Sequence, residues 1–288
     1  MIKIYTKEYA GLLQDIFASK QHFLRTFGGN LQVVDGVSNK DTFLELKVSD
    51  TDVTVQDYST DPNVAFLEGT GSTTRFGQRK EIVSVDVQVE YEAPLAIHEG
   101  VDNMTVNDNA EQVIAERTAL HAEAWVEQIN MLLSKALSDN ASETLSATDV
   151  AEAFKTAREK FVDNKVAKNI GWVAYVTPAV YSALVRDSLI TTAKNSNVNI
   201  DRAELEMHNG FIIEELPTEY FQEGENIIFA ADNVGVVGTG IEVYRILDSE
   251  DFAGVAIQSA AKYGKYIPEK NTKAILKANV TTEDTPAA

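Results

Sequence analysis

The sequence contains no cysteine, only six prolines and no long apolar run. Without cysteine the chain can form neither a disulfide framework nor a thiolate metal site. No apolar stretch approaches the ~20 residues that a membrane-spanning helix needs. The first residues also lack the basic start and apolar block of a secretory signal. These absences argue against a membrane protein and a disulfide scaffold, and they fit a reducing compartment.

Positive charge is scarce as well. Twenty-five Lys and Arg stand against 44 Asp and Glu, a formal net charge of −19. Such a surface repels nucleic-acid phosphates, and a protein that reads DNA sequence usually needs a basic patch. If many copies of the chain assemble, extensive interface burial has to outweigh the like charge. The 288 residues, 44% of them hydrophobic, suffice for one large or two ordinary domains.

Recognisable catalytic and ligand-binding motifs are missing. The four histidines, His22, His98, His121 and His208, lie too far apart in sequence for a short metal-ligand motif. The stretch EGTGSTTRFGQRKEIV, Glu68 to Val83, is rich in glycine and basic residues. Its glycines have the wrong spacing for a phosphate-binding loop, and it leads into a strand rather than a helix. We therefore predict no catalytic residue, no cofactor and no metal.

Two segments alternate with the period of a β-strand. In the first, Phe43 to Val48, polar and apolar residues alternate; in the second, five alternations place Val83, Val85, Val87, Val89 and Tyr91 on one face. The second pattern predicts a half-buried antiparallel strand. About 25 residues separate the two segments, which predicts a long hairpin with an extended, flexible tip.

The tip carries the basic residues Arg75, Arg79 and Lys80. A basic finger on an acidic chain favours contact with another copy of the chain, because oppositely charged surfaces attract partners. A solvated loop with no partner is the alternative.

A long helix is predicted from about residue 108 to 139, since apolar residues recur at three- and four-residue steps without Gly or Pro. At ~1.5 Å per residue it is a rod of about 45 Å. We expect Val113, Leu120, Ile129 and Leu133 to form its buried face.

The remainder alternates helices and strands. Helices are predicted from Thr148 to Asn164 and from Pro178, with SETLSATD before the first interpreted as helix-cap chemistry. Strands are predicted at GWVAYV, FIIEELP and NIIFAADNVGVVG, and strand character returns near the end of the chain. This mixture indicates a compact α/β domain.

The order of these parts resembles the major capsid proteins of tailed phages, which have the HK97-like fold. The resemblance covers nearly the whole chain and implies an α+β fold with an N-terminal arm, an extended β-hairpin (the E-loop), a long spine helix in a P domain, and a mixed α/β A domain. The implied boundaries are 1–41 for the arm, 42–92 for the E-loop, 93–144 for the P domain with its spine helix, 145–240 for the A domain, 241–280 for the return to P-domain strands, and 281–288 for a disordered tail.

The resemblance also implies a function. Such proteins form hexamers and pentamers that close into an icosahedral shell around double-stranded DNA, which they contact non-specifically. A separate scaffolding protein and a portal would be further partners, with assembly in the host cytoplasm, a place in the virion and no membrane. The residues expected to contact a neighbouring subunit are those of the tip: Gly69, Gly71, Arg75, Gly77, Arg79 and Lys80.

Two alternatives remain open at this point. An encapsulin, a bacterial compartment shell, has the same fold and would enclose a cargo enzyme instead of DNA. A soluble hydrolase that uses A-domain carboxylates belongs to a different class, although no motif in the sequence supports it.

Overall fold

The computed structural model describes residues 21–29, 32–33, 42–49, 53–61, 64–65, 74–105, 110–190, 198–199 and 204–280. Three helices run along this part of the chain: α1 Ala110–Asp139, α2 Val150–Asp163 and α3 Pro178–Ile190. The strands are β1 Gln32–Val33, β2 Thr42–Ser49, β3 Ser84–Glu90, β4 Leu95–Asp102, β5 Glu143–Ala147, β6 Trp172–Val176, β7 Val198–Asn199, β8 Glu204–Leu205, β9 Met207–His208, β10 Phe211–Glu215, β11 Ile227–Ala231, β12 Val236–Asp248, β13 Gly254–Tyr266 and β14 Ile275–Val280. None of the helices within these ranges is long and apolar enough to span a bilayer.

The chain divides into two compact units, residues 41–90 and the remainder of the chain. We call them the hairpin unit and the core unit. The core unit is built on a six-stranded mixed sheet in the order β5-β14-β11-β6-β10-β9. Its central strands β6 and β11 have the sequences WVAYV and IIFAA and are buried throughout. Continuous apolar runs of this kind are typical of strands covered on both faces.

Aromatic rings fill the space between this sheet and α2. The Phe154 ring lies 5.0 Å from Phe229 and 6.0 Å from Phe211, edge to face in both cases. Phe161 contacts Trp172 at 5.3 Å between ring centroids. Asp149 caps the helix by accepting a hydrogen bond from the Glu152 backbone at 2.7 Å. The expected cap is thus present, but the residues before it form β5, which pairs in parallel with β14 and was missed.

The buried face of α1 differs from the expected one. Ile129 and Leu133 are buried as predicted, whereas Leu120 is 47% exposed and Val113 is only partly buried. Leu120 lies nine residues before Ile129, which at 3.6 residues per turn is half a turn round the helix. The buried stripe instead continues through Trp125, whose indole donates to Ser259 Oγ on β13 at 3.1 Å.

A second sheet of four strands has the order β1-β12-β13-β4. Strand β4 was missed because its apolar residues alternate only weakly, and it pairs antiparallel with β13 from Leu95 to Asp102. The range 241–280, which the resemblance assigns to one group of strands, contributes to two different sheets. β12 belongs to the four-stranded sheet, while β14 lies beside β11 in the six-stranded sheet.

Residues 21–29 of the expected arm are part of the core. Phe23 and Phe27 are almost fully buried, and the Phe23 ring lies 4.6 Å from Tyr175. Arg25 makes a bidentate ion pair with Asp232, with distances of 2.6 and 3.0 Å. This segment is therefore anchored rather than peripheral. The first 20 residues of the expected arm and the predicted disordered tail, 281–288, lie outside the described residues.

Candidate subunit-contact surface

The hairpin unit is a two-stranded ribbon with one apolar face and one polar face. In the β2–β3 ladder Leu44, Leu46 and Val48 stand opposite Val89, Val87 and Val85. Glu45 and Lys47 lie on the other face, where Lys47 is 3.9 Å from Asp86. The predicted alternation and antiparallel pairing are confirmed. Two strands cannot cover their own apolar face, so a ribbon of this kind needs another surface to pack against.

The ribbon continues beyond its regular strands through side-chain hydrogen bonds. Lys80 donates to Thr54 Oγ1 at 2.7 Å, and the Ser59 backbone donates to the Arg75 carbonyl at 3.0 Å. Between them the Gln56 amide accepts from the Gln78 backbone at 3.0 Å and donates to the Gln78 carbonyl at 2.9 Å. These pairs are displaced by one residue from the β2–β3 register. The described part of the tip is thus held in an extended form.

Gly77 has a defined role in this arrangement. Its φ of +77° is left-handed, and a Cβ added there would lie 2.2 Å from the Gln56 side-chain oxygen. Any larger residue would be strained at this φ and would also push the Gln56 amide away from Gln78. The glycine therefore fixes a local shape, in addition to the freedom to bend that the sequence suggested.

The three basic residues of the tip differ in their surroundings. Arg75 is partly buried, and its guanidinium donates to the backbone carbonyls of Val64 and Asp61 at 3.1 and 3.3 Å. Lys80 is held by Thr54, whereas Arg79 is exposed. Arg75 therefore bonds within the tip itself, whereas the sequence analysis treated the three basic residues alike. Gly69 and Gly71 lie outside the described residues.

Large apolar side chains are concentrated on the hairpin unit. Seven of the fifteen large apolar residues that are exposed within the described ranges belong to it, although it spans only residues 41–90. They are Val53, Val55, Tyr58, Phe76, Ile82, Val83 and Val85. Val53 and Val55 are more than 90% exposed, and Ile82 is 73% exposed. This number of exposed apolar side chains on one short segment favours an interaction surface over a solvated one.

Sequence reasoning found the strands but missed this exposure. Val85 is 55% exposed although its strand was expected to be half-buried on that face. The signal was present in TDVTVQDY, where alternation continues beyond β2 and places Val53 and Val55 in the tip. Apolar alternation in a segment with only one strand to pair with leaves a face that the ribbon itself cannot cover.

Two polar clusters in the core unit join separate elements of the fold. Glu99 on β4 accepts two hydrogen bonds from Arg117 on α1, and His121 lies 3.0 Å from the same carboxylate. The hydrogen bonds from Arg117 lower the pKa of Glu99 to about 2, against the opposing effect of burial. A second cluster joins Glu225, Ser138 and Lys277, with 2.6 Å between the hydroxyl and the carboxylate. No group of three metal-ligating side chains occurs within the described ranges.

No protein-family profile and no curated protein matches the sequence. Solved structures do match over most of the chain. A protein of Mycobacterium phage Che8 is 17% identical, with a TM-score of 0.64, over 83% of this chain and 85% of that one. The mature capsid of bacteriophage PhiM1 is 12% identical, with a TM-score of 0.65, over 93% and 88%.

A third similar structure is a virus-like particle from Pyrococcus furiosus, 13% identical with a TM-score of 0.50, over 94% of this chain and all of that one. Identities this low show the fold alone. The chain has the α+β, HK97-like fold that these phage capsid structures share, as the order of its parts suggested.

Proposed function

We propose that this chain is the major capsid protein of a tailed phage, which assembles into hexamers and pentamers that close into an icosahedral shell. The fold supports this proposal, because the likeness to a mature phage capsid extends over 93% of the chain. Its role is structural and not enzymatic, and its place is the virion. The observation that carries the proposal is the set of large apolar side chains that the hairpin unit leaves exposed.

Association with a partner would bury the exposed apolar side chains of the hairpin unit. Fully burying one Val or Ile side chain contributes about 1.5–3 kcal/mol, so several exposed on one ribbon represent a large unused driving force for association. That driving force can offset the repulsion between chains of net charge −19. A neighbouring copy is the partner that every subunit of a shell meets, and a heterologous contact of this kind closes into rings.

The polar part of this contact is the tip. We propose that Gly69, Gly71, Arg75, Gly77, Arg79 and Lys80 lie against a neighbouring subunit, as the resemblance implies. The side-chain contacts refine their roles. Arg79 is the exposed cation available for an acidic neighbour, while Arg75 and Gly77 hold the tip in shape.

Further partners are proposed on the resemblance alone. They are a separate scaffolding protein, a portal, and packaged double-stranded DNA held without sequence preference, with assembly in the host cytoplasm. The net charge of −19 fits weak contact with DNA, because phosphate neutralisation requires Lys and Arg.

The test is the size and content of the assembled protein. We expect the purified chain, with a scaffolding protein where needed, to form rings and closed particles by electron microscopy and analytical ultracentrifugation. A chain that stays monomeric with and without a scaffolding protein, at concentrations up to the millimolar range, would overturn the proposal.

The content of the particles distinguishes a phage capsid from a compartment shell. It is kept because the Pyrococcus furiosus virus-like particle has a similar fold. Particles isolated from the native source should contain double-stranded DNA in the capsid reading and a cargo enzyme in the encapsulin reading. No observation on the described residues favours the hydrolase alternative.

A further inference from the structure

The core unit has a cavity of about 310 Å³ with a basic lining. Three segments form it: the end of α2, the turn after β11 and the 3-10 turn before β14. We call it the lysine pocket, and its polar lining consists of Asn164, Lys165, Asn233, Lys270, Asn271 and Lys273. Asp232 also lines the pocket, but its carboxylate is paired with Arg25, so the lysines dominate the charge of the lining.

Two amide side chains fix the walls of the lysine pocket. Asn164 Nδ2 donates to the Lys273 carbonyl at 2.9 Å and so joins the end of α2 to the turn before β14. Asn271 Nδ2 donates to the Val234 carbonyl at 2.8 Å and joins that turn to the one after β11. The pocket is therefore preformed, which reduces the entropy lost when a ligand binds.

Lys165 occupies a backbone position that normally takes glycine. Its φ is +59°, its N–H donates to the Val162 carbonyl, and the Val166 N–H donates to the Phe161 carbonyl. This is the Schellman arrangement at a helix C-terminus, in which glycine avoids the steric cost of the left-handed conformation. A lysine there is unfavourable for the backbone, and a strained residue lining a pocket suggests that its side chain has a function.

Two of the three lysines of the pocket are available to a ligand. Lys165 and Lys273 make no ion pair with any residue that the structure describes. Two such lysines favour a carboxylate-bearing ligand, and a chain of net charge −19 offers acidic surfaces of its own.

One acidic surface of the chain is confined to a short turn. The turn between β12 and β13 carries three exposed carboxylates, Asp248, Glu250 and Asp251, and none of them pairs with a described cation. It is a narrow turn, closed by a hydrogen bond from the Ser249 backbone to the Gly254 carbonyl at 2.9 Å. We call it the acidic turn.

The acidic turn cannot reach the lysine pocket of its own subunit. β12 begins at Val236, next to the pocket, and runs for 13 residues to Asp248. At about 3.3 Å per residue the turn lies roughly 40 Å from the pocket. A contact between these two surfaces is therefore made only between different copies.

We propose that the lysine pocket binds the acidic turn of a neighbouring copy, with Lys165 and Lys273 pairing with the carboxylates. The contact joins two different surfaces of the same chain, so it propagates from one copy to the next. It rests on the proposed self-assembly and adds a second contact, separate from the hairpin unit, between different residues.

A charge swap tests the pairing. Lys165→Glu with Lys273→Glu, or Glu250→Lys with Asp251→Lys, should each reduce particle yield about tenfold, a loss equivalent to ~1.4 kcal/mol. All four substitutions together should bring the yield back to within about threefold of the original protein. Lys168→Glu with Glu223→Lys is the control for the combined variant, because it too leaves the net charge unchanged, both residues are exposed and neither lines the pocket. The control should assemble normally, and every variant should melt within a few degrees of the original protein.

Lys165→Gly removes the lysine side chain from the pocket without weakening the fold. Glycine suits the left-handed backbone, so the melting temperature should stay the same or rise, while particle yield falls. If the original protein forms no particles, the proposed function fails first. If it forms particles and both reversals assemble like it, the lysine pocket is not a contact and the proposed function stands. If the single reversals fail and the combination does not recover, the acidic turn is not the partner and the pairing proposed here is wrong.

Discussion

The core unit and the hairpin unit use the same kinds of apolar residue in opposite ways. In the core unit the side chains of Ile129, Leu133 and Phe229 are at most 1% exposed. In the hairpin unit Val55 is 94% exposed and Ile82 is 73% exposed. The core unit therefore satisfies its apolar residues within one chain, whereas the hairpin unit leaves them for another surface. Substitutions in the first should damage folding, and substitutions in the second should damage assembly.

The largest effect is expected in α1. Leu133→Ala removes a fully buried side chain and should lower the free energy of unfolding by ~2–5 kcal/mol, because a cavity adds to the lost burial. Leu120→Ala on the same helix is the control, since that side chain is 47% exposed. Its effect should stay below about 1 kcal/mol. Denaturant unfolding of the unassembled subunit measures both, and equal losses would show that the buried face of α1 is wrongly assigned.

A smaller effect is expected at the ion pair between β4 and α1. The pKa of Glu99 is lowered to about 2, chiefly by Arg117, so its ionised form stabilises the folded state. This contribution is present above pH ~4.5 and is lost as the pH falls toward 2. Because the Glu99 side chain is 29% exposed, solvent screening reduces the contribution of ionised Glu99 to the free energy of unfolding to about 1–2 kcal/mol.

Glu99→Gln should therefore destabilise the subunit at neutral pH and flatten the dependence of unfolding free energy on pH between about 4.5 and 2. Glu143→Gln, which removes an exposed pair with Lys160, is the control and should leave that dependence unchanged. An unchanged pH profile in the Glu99 variant would mean that its pKa is not lowered by Arg117.

Much of the core unit follows from the sequence, because its strands and helices carry strong local patterns. WVAYV and IIFAA are continuous apolar runs, and Asp149 stands where a helix cap is expected. Strands β4 and β5 did not follow, since their pairing with β13 and β14 depends on residues far along the chain. The burial of residues 21–29 was missed for the same reason.

For the candidate contact surface, the sequence identified the hairpin and its basic tip. It did not show which basic residues are exposed and which bond within the tip. Arg75 and Arg79 look equivalent in the sequence, yet Arg75 donates to two backbone carbonyls and Arg79 is exposed. The lysine pocket was not anticipated, because residues 164–165, 231–234 and 270–274 meet only in the folded chain.

Gly77→Ala should affect the hairpin unit alone. The methyl group would be strained at a φ of +77° and would displace Gln56, so faster proteolysis between residues 53 and 83 is expected. Gly210→Ala in the core unit has a similar φ of +94° but open space around its Cβ. It should lower the free energy of unfolding of the core unit by about 1 kcal/mol and leave the proteolytic cleavage of the hairpin unit unchanged. Unaltered proteolysis of the Gly77 variant would show that Gln56 does not hold the tip.

The smallest effect on the subunit is expected for Arg79→Glu. An exposed ion pair is worth ~0–1 kcal/mol, so the isolated subunit should melt unchanged. Particle yield should fall, because the contact repeats at every copy, and the loss should diminish at high salt. Lys168→Glu, an equal change of charge at another exposed site, is the control. Equal yields for the two variants at low salt would make the tip a solvated loop.

The central claim is that the exposed apolar side chains of the hairpin unit contact another copy of the chain. The direct measurement compares melting temperature and particle count for Val55→Asp with Ile82→Asp, two side chains that are 94% and 73% exposed. The account predicts a melting temperature like that of the original subunit and almost no particles by electron microscopy. Normal particles from this variant, or a subunit that no longer folds, would contradict it.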